Sequence, residues 1–228
     1  MRWAGGPGAD RECVMLLSDP RVAAVPVVEC GDPLVVLGPE FGAARARVRA
    51  GLADRLAVAQ ALLPAGIVLR VQEGHRTVAD QRAIIARYTA EVARAYPGCP
   101  ADEQRRLVSR FVSPVDVAPH VAGAAVDLTL ARHDGSDLDL GTAIDATPEA
   151  SGGRCATASP DVDAGARALR DVLCRALGGA GLVNYPTEWW HWSYGDRYWA
   201  LVTGAPAAWY GAVDVNGPAP VALAGVGR

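Results

Sequence analysis

The chain has 228 residues with 22 basic and 25 acidic side chains, a formal net charge of −3. Half of its residues are hydrophobic and 21% are charged, near the soluble globular average, which excludes a disordered or fibrous chain. No apolar run nears the roughly 18–20 residues that span a bilayer, and the slight net acidity gives no sign of a nucleic-acid or anionic-membrane footprint.

Length suits one domain over 1–228, with 1–12 as lead-in and 204–228 as a peripheral tail. Short apolar runs broken by Asp-Pro, Gly-Asp-Pro and Gly-Pro fill residues 14–42 and predict extended pieces joined by turns. Residues 43–63 carry apolar positions at helical spacing and predict an amphipathic helix ending before Pro64. Residues 67–73, IVLRVQE, have the β-branched content of a strand closed by Gly74. Thr77 is placed to cap a second helix, with Asp80 three residues on, and Pro97-Gly98 stops it. A third helix is expected over 101–112, and a strand over 124–130. Gly, Ser, Thr, Pro and Asp dominate 134–163 and predict a long loop region, followed by a fourth helix over 164–177. The aromatic-rich stretch 182–202 is expected to supply two strands, its Trp residues packing the core. Helices interleaved with short strands, and no βαβ fingerprint, indicate an α+β fold.

Every basic residue is Arg, so Lys nucleophiles and Schiff bases drop out. The five Cys are odd in number and form no CxxC pair, which predicts free thiols and a cytoplasmic setting. Only four His are present: His75, His120, His133 and His191. His133 lies in a polar loop run and is expected in solvent. His120 precedes Gly123 and Asp127, and Glu188 precedes His191 by three residues. His120, Asp127 and His191 would make the three-ligand N/O set of a catalytic zinc site, which keeps a fourth position for water. Glu188 would then be the general base for that water. Each motif singly is also at home capping a turn or on a helix surface; together they use half the His of a His-poor chain.

HVAGAAVDLTL (120–130) followed by EWWHWSYGD (188–196) resembles the zinc D-alanyl-D-alanine dipeptidase family of the VanX type. That family's pattern is SxHxxGxAxDLTL, then GTxFD, then ExWWH, and the resemblance covers roughly residues 14–200. It implies one zinc ion per chain on His120, Asp127 and His191, with Glu188 as catalytic base. The implied fold is a central antiparallel sheet flanked by helices, shared with D,D-carboxypeptidases and the Hedgehog signalling domain. It further implies that Arg76, in Glu73-Gly74-His75-Arg76-Thr77, stabilises the oxyanion. Asp145, in Gly141-Thr142-Ala143-Ile144-Asp145, would pair with the substrate's free amino group.

The family's Ser before the first ligand becomes Ala118-Pro119 here, and its Tyr and Pro around the Arg become His75 and Thr77. Ala122 replaces an Arg, and Ile144 a Phe. The lining is therefore altered around an intact metal-and-base core, and His75 either enters the pocket or lies on the surface. The expected activity is hydrolysis of a small dipeptide, D-Ala-D-Ala first, by a metal-bound water. A D,D- or L,D-carboxypeptidase or a biosynthetic amidase is the alternative, and a non-catalytic zinc-bearing binding module the second.

Overall fold

The computed structural model describes residues 14–213. The expected lead-in 1–12, Cys13 and the tail beyond residue 213 lie outside the described residues. Asp19 opens a short helix, α1 (Pro20–Ala24), by accepting a hydrogen bond from Arg21 N at 2.9 Å. Strands β1 (Leu34–Val36) and β2 (Arg47–Arg49) form an antiparallel ribbon that leads into α2 (Ala50–Ala61). The helix expected over 43–63 therefore starts late. Val48 turns into the core, and the buried Arg49 donates to the carbonyls of Ala122, Asp32 and Gly211 at 2.8, 2.7 and 3.0 Å. A helical backbone at 47–49 would forfeit the β1 pairing.

Strand β3 (Ile67–Glu73) spans the expected residues. Helix α3 (Val78–Ala95) is capped by Thr77, whose Oγ1 accepts from Asp80 N at 3.1 Å. Helix α4 (Ala101–Ser109) ends earlier than expected, and β4 (Ala125–Arg132) follows. The loop region beyond it holds one short helix, α5 (Pro148–Ser151), before α6 (Ala164–Gly179). The aromatic stretch yields two strands, β5 (Val183–Asn184) and β6 (His191–Ser193). It then yields a helix absent from the sequence expectation, α7 (Arg197–Thr203). Asp196 caps α7 by accepting from Tyr198 N and Trp199 N at 2.7 and 3.2 Å, and Gly204 ends it in the left-handed conformation. Residues 204–213 do not hang free. Val28 N donates to Ala208 O at 2.8 Å, and Ala208 and Tyr210 are buried.

The main sheet runs β3-β4-β6-β5, antiparallel throughout. Its apolar face buries Leu69, Val71, Val126 and Leu128 against Leu52 and Leu56 of α2 and Leu173 and Leu177 of α6. A separate apolar cluster joins α3 to α4 and the turn after it through Val92, Val108 and Val112.

Register positions the site. Val71 pairs with Leu128, yet Glu73 pairs with Asp127, so one extra β3 residue, Gln72, forms a bulge. Asp127 also pairs with His191 of β6. Directly opposed residues of antiparallel strands share a face, so Glu73, Asp127 and His191 stand in one row across three strands. The bulge turns Glu73 into that row in place of Gln72, a re-aiming that bulges commonly perform beside functional sites.

Candidate metal centre

His120 enters the row from the turn before β4. Its carbonyl accepts from Arg76 N at 3.1 Å and Gly123 N at 3.0 Å, so this turn is stitched to the segment after β3. Gly123 closes the turn at φ +66°, where a Cβ would stand 2.4 Å from Leu34 Cδ2. The left-handed dihedral favours glycine, and a side chain there would also have to push the end of Leu34 aside.

Three ligand atoms converge. His120 Nε2 lies 3.1 Å from His191 Nδ1 and 3.4 Å from Asp127 Oδ1, and His191 Nδ1 lies 3.1 Å from the same oxygen. Tetrahedral zinc with bonds of roughly 2.0–2.1 Å sets neighbouring donors about 3.3–3.5 Å apart. The triangle therefore fits such an ion with little adjustment. His120 Nδ1 donates to Gly74 O at 2.8 Å, which leaves the Nε2 lone pair of the neutral ring facing the centre. All three residues are buried. Burial works against charge on His120, but the Asp127 carboxylate outweighs it and pushes the imidazole pKa up. Burial likewise opposes ionisation of Asp127, yet the charge and hydrogen bonds of His120 and His191 hold it well below the usual carboxylate range. The centre thus favours positive charge between the rings, as a bound divalent cation requires.

Glu188 sits on the turn between β5 and β6. Its amide donates to Tyr185 O at 2.9 Å, and Asn184 Nδ2 donates to the carbonyls of Glu188 and His191 at 3.0 Å each. Its Oε2 is 4.0 Å from His191 Nδ1, beside the triangle rather than in it. Burial, then the negative charges of Asp127 and Asp145, raise its pKa well above the ordinary value, with Arg76 opposing.

Arg76 reaches the same cavity, which has a volume of about 210 Å³. Its Nε and Nη2 donate to Glu73 at 2.7 and 2.6 Å, and Nη1 donates to Gln81 Oε1 at 2.8 Å. Gln81 is itself fixed by donating to Ser113 O at 2.8 Å. A guanidinium has five N–H groups, so two remain for a ligand. Burial lowers the Arg76 pKa and the Glu73 contacts raise it, with a net rise. Asp145 also lines the cavity, at φ +62°, a conformation rare outside Gly. Burial raises its pKa, helped by Asp127 and Glu73 and opposed by Arg76.

His75 is elsewhere. Its Nε2 is 3.0 Å from Val213 O, and it does not line the cavity that holds His120, Asp127, Glu188 and His191. His133 is exposed. Trp189 and Trp190 are core residues stacked edge to face, with ring centroids 5.5 Å apart, and neither lines the cavity. Glu73 and Gln81 escaped the sequence reading. The signal available for Glu73 was a carboxylate three residues before Arg76, across a turn.

A family described as D-ala-D-ala dipeptidase matches residues 42–203 of the chain. A curated D-alanyl-D-alanine dipeptidase of Synechocystis sp. is 27% identical over 218 residues, covering 78% of this chain and 87% of that protein. One from Escherichia coli is 36% identical over 72 residues, covering 32% and 35%. A solved structure, a mutant of the vancomycin resistance D,D-pentapeptidase VanY in complex with Zn(II), is similar at TM-score 0.44 and 17% identity, covering 77% of this chain and 88% of that one.

Proposed function

The chain belongs to the D-ala-D-ala dipeptidase family, and from that premise we propose that this metallopeptidase hydrolyses a small dipeptide, D-Ala-D-Ala first, at one zinc ion held by His120, Asp127 and His191. The observation that carries the reading is the buried triangle of donors 3.1–3.4 Å apart with Glu188 at its edge. Bound zinc supplies a Lewis acid for the scissile carbonyl and lowers the pKa of a water to about 7. Glu188 takes the proton of the attacking water and returns it to the leaving amine. Its raised pKa suits that shuttle, since a base poised nearer neutrality both accepts and donates. Arg76, locked by Glu73 and Gln81, offers its two remaining N–H groups to the oxyanion. Asp145 pairs with the substrate's ammonium and blocks a chain that continues beyond it.

The cavity of about 210 Å³ suits a small substrate, being under the roughly 300 Å³ at which drug-sized pockets begin. A cytoplasmic setting is supported by Cys30, Cys99, Cys155 and Cys174, all free among the described residues. No helix among the described residues is long and apolar enough to cross a membrane.

The test is hydrolysis by zinc-loaded protein of D-Ala-D-Ala, L-Ala-L-Ala and the corresponding tripeptides, beside Glu188→Ala. Cleavage of the D,D-dipeptide alone, with Glu188→Ala keeping its zinc and losing most turnover, is expected. Efficient tripeptide cleavage would overturn the dipeptidase assignment, and a fully active variant the assignment of the base.

A further inference from the structure

A dipeptide carries charge at both ends, and the roles above leave its C-terminal carboxylate without a partner. Arg76 does not supply one, because three of its N–H groups are engaged and Glu73 offsets its charge. The same cavity is lined by a second cation, Arg87 of α3. Arg87 makes no hydrogen bond or ion pair among the described residues. Helical spacing puts Gln81, Ile84, Arg87 and Tyr88 along the cavity side of α3, and all four line it. At 1.5 Å per residue, Arg87 sits about 9 Å farther along the axis than Gln81, the residue that fixes Arg76. An extended residue carries the chain about 3.5 Å from the scissile carbonyl to the terminal carboxylate. The long arginine stem covers the remainder.

We propose that Arg87 is the specificity residue that receives the substrate's free C-terminal carboxylate, opposite Asp145 at the ammonium end. The inference rests on the dipeptidase reading and adds a residue to it. A planar guanidinium free of other partners binds a carboxylate through two parallel N–H groups. The enzyme would thereby select dipeptides with an uncapped terminus and disfavour amides and esters.

The experiment compares D-Ala-D-Ala with its C-terminal amide. Turnover is measured with the zinc-loaded wild type, Arg87→Gln and Arg87→Lys. Calorimetric binding of both ligands is measured in a Glu188→Gln background, with and without Arg87→Gln. Arg87→Gln is expected to lower kcat/KM for the acid by about 10- to 100-fold, chiefly through KM, and to weaken its binding alike. The amide should be unaffected, so that the preference for the acid collapses, and Arg87→Lys should restore part of it. Equal losses for acid and amide, or an acid preference that survives Arg87→Gln, would overturn the proposal while leaving the dipeptidase intact. A wild type that cleaves neither ligand would instead overturn the dipeptidase reading, and this inference with it.

Discussion

Arg170 of α6 is 2% exposed and has no carboxylate partner among the described ion pairs, so its role is to be read from what it holds. Its guanidinium donates to the carbonyls of Leu140, Ala156 and Arg154 at 2.8 Å each and reaches Thr157 O at 3.4 Å. It also lies 5.6 Å over the Trp189 ring, whose Nε1 donates to Thr142 Oγ1 at 2.7 Å. One side chain thus ties α6 to both ends of the loop bearing Asp145, and that loop to the residue after Glu188. Arg170→Met keeps most of the stem and removes every donor. Leu140 O would be left buried and unpaired and Arg154 O would lose its partner, while Ala156 O keeps the Ser159 amide at 3.0 Å. A buried group left unpaired costs about 1–3 kcal/mol, partly offset because a desolvated charge is also removed. The expected loss is about 3–5 kcal/mol in urea unfolding at pH 7, a large fraction of a typical 5–15 kcal/mol. KM for the dipeptide should rise as the Asp145 loop loosens. A loss below about 1 kcal/mol with unchanged KM would refute the claim that this arginine organises the loop.

Other outcomes follow from the same geometry. Glu188→Gln should raise the Tm of zinc-free protein while abolishing turnover. The folded-state pKa of Glu188 is raised, so its contribution is fully present below about 4.5 and is lost as pH climbs through the folded value. The Tm advantage of the Gln variant should therefore widen with rising pH, and a constant gap would contradict it. Gly123→Ala should cost about 1–3 kcal/mol from the positive φ alone and weaken zinc binding through His120; unfolding and metal titration check both. Arg76→Lys should cut kcat by about 10²–10³-fold with zinc content unchanged, as steady-state kinetics and metal analysis would record.

Much of the site was legible because its chemistry sits on chemically distinctive residues. Two His in a chain with four, a Glu three residues from one and an Asp seven from the other single out candidates, and it is the resemblance to the dipeptidase family that assigns them the roles of ligands and base. Strand β3 and the Thr77 cap were legible for the same local reasons that make them form. What stayed hidden depends on neighbours far along the chain. Val48 sits in an apparent helical period and becomes strand because β1 and the carbonyls around Arg49 claim it. Helix α7 hides in an aromatic run of high β-propensity, and only the Asp196 cap and Gly204 stop give it away. Glu73 belongs to the site through a one-residue bulge, which no strand pattern encodes. His75, next to Arg76 in sequence, turns to Val213 instead.

The central claim is that three separated side chains hold one metal ion, and metal content with affinity tests it most directly. Zinc bound to dialysed protein, measured by elemental analysis beside His120→Ala, Asp127→Ala and Glu188→Gln, is predicted at one ion per chain. The Glu188 variant should match the wild type, and the two ligand variants should hold none. Zinc held equally by all four proteins, or by none, would contradict the account.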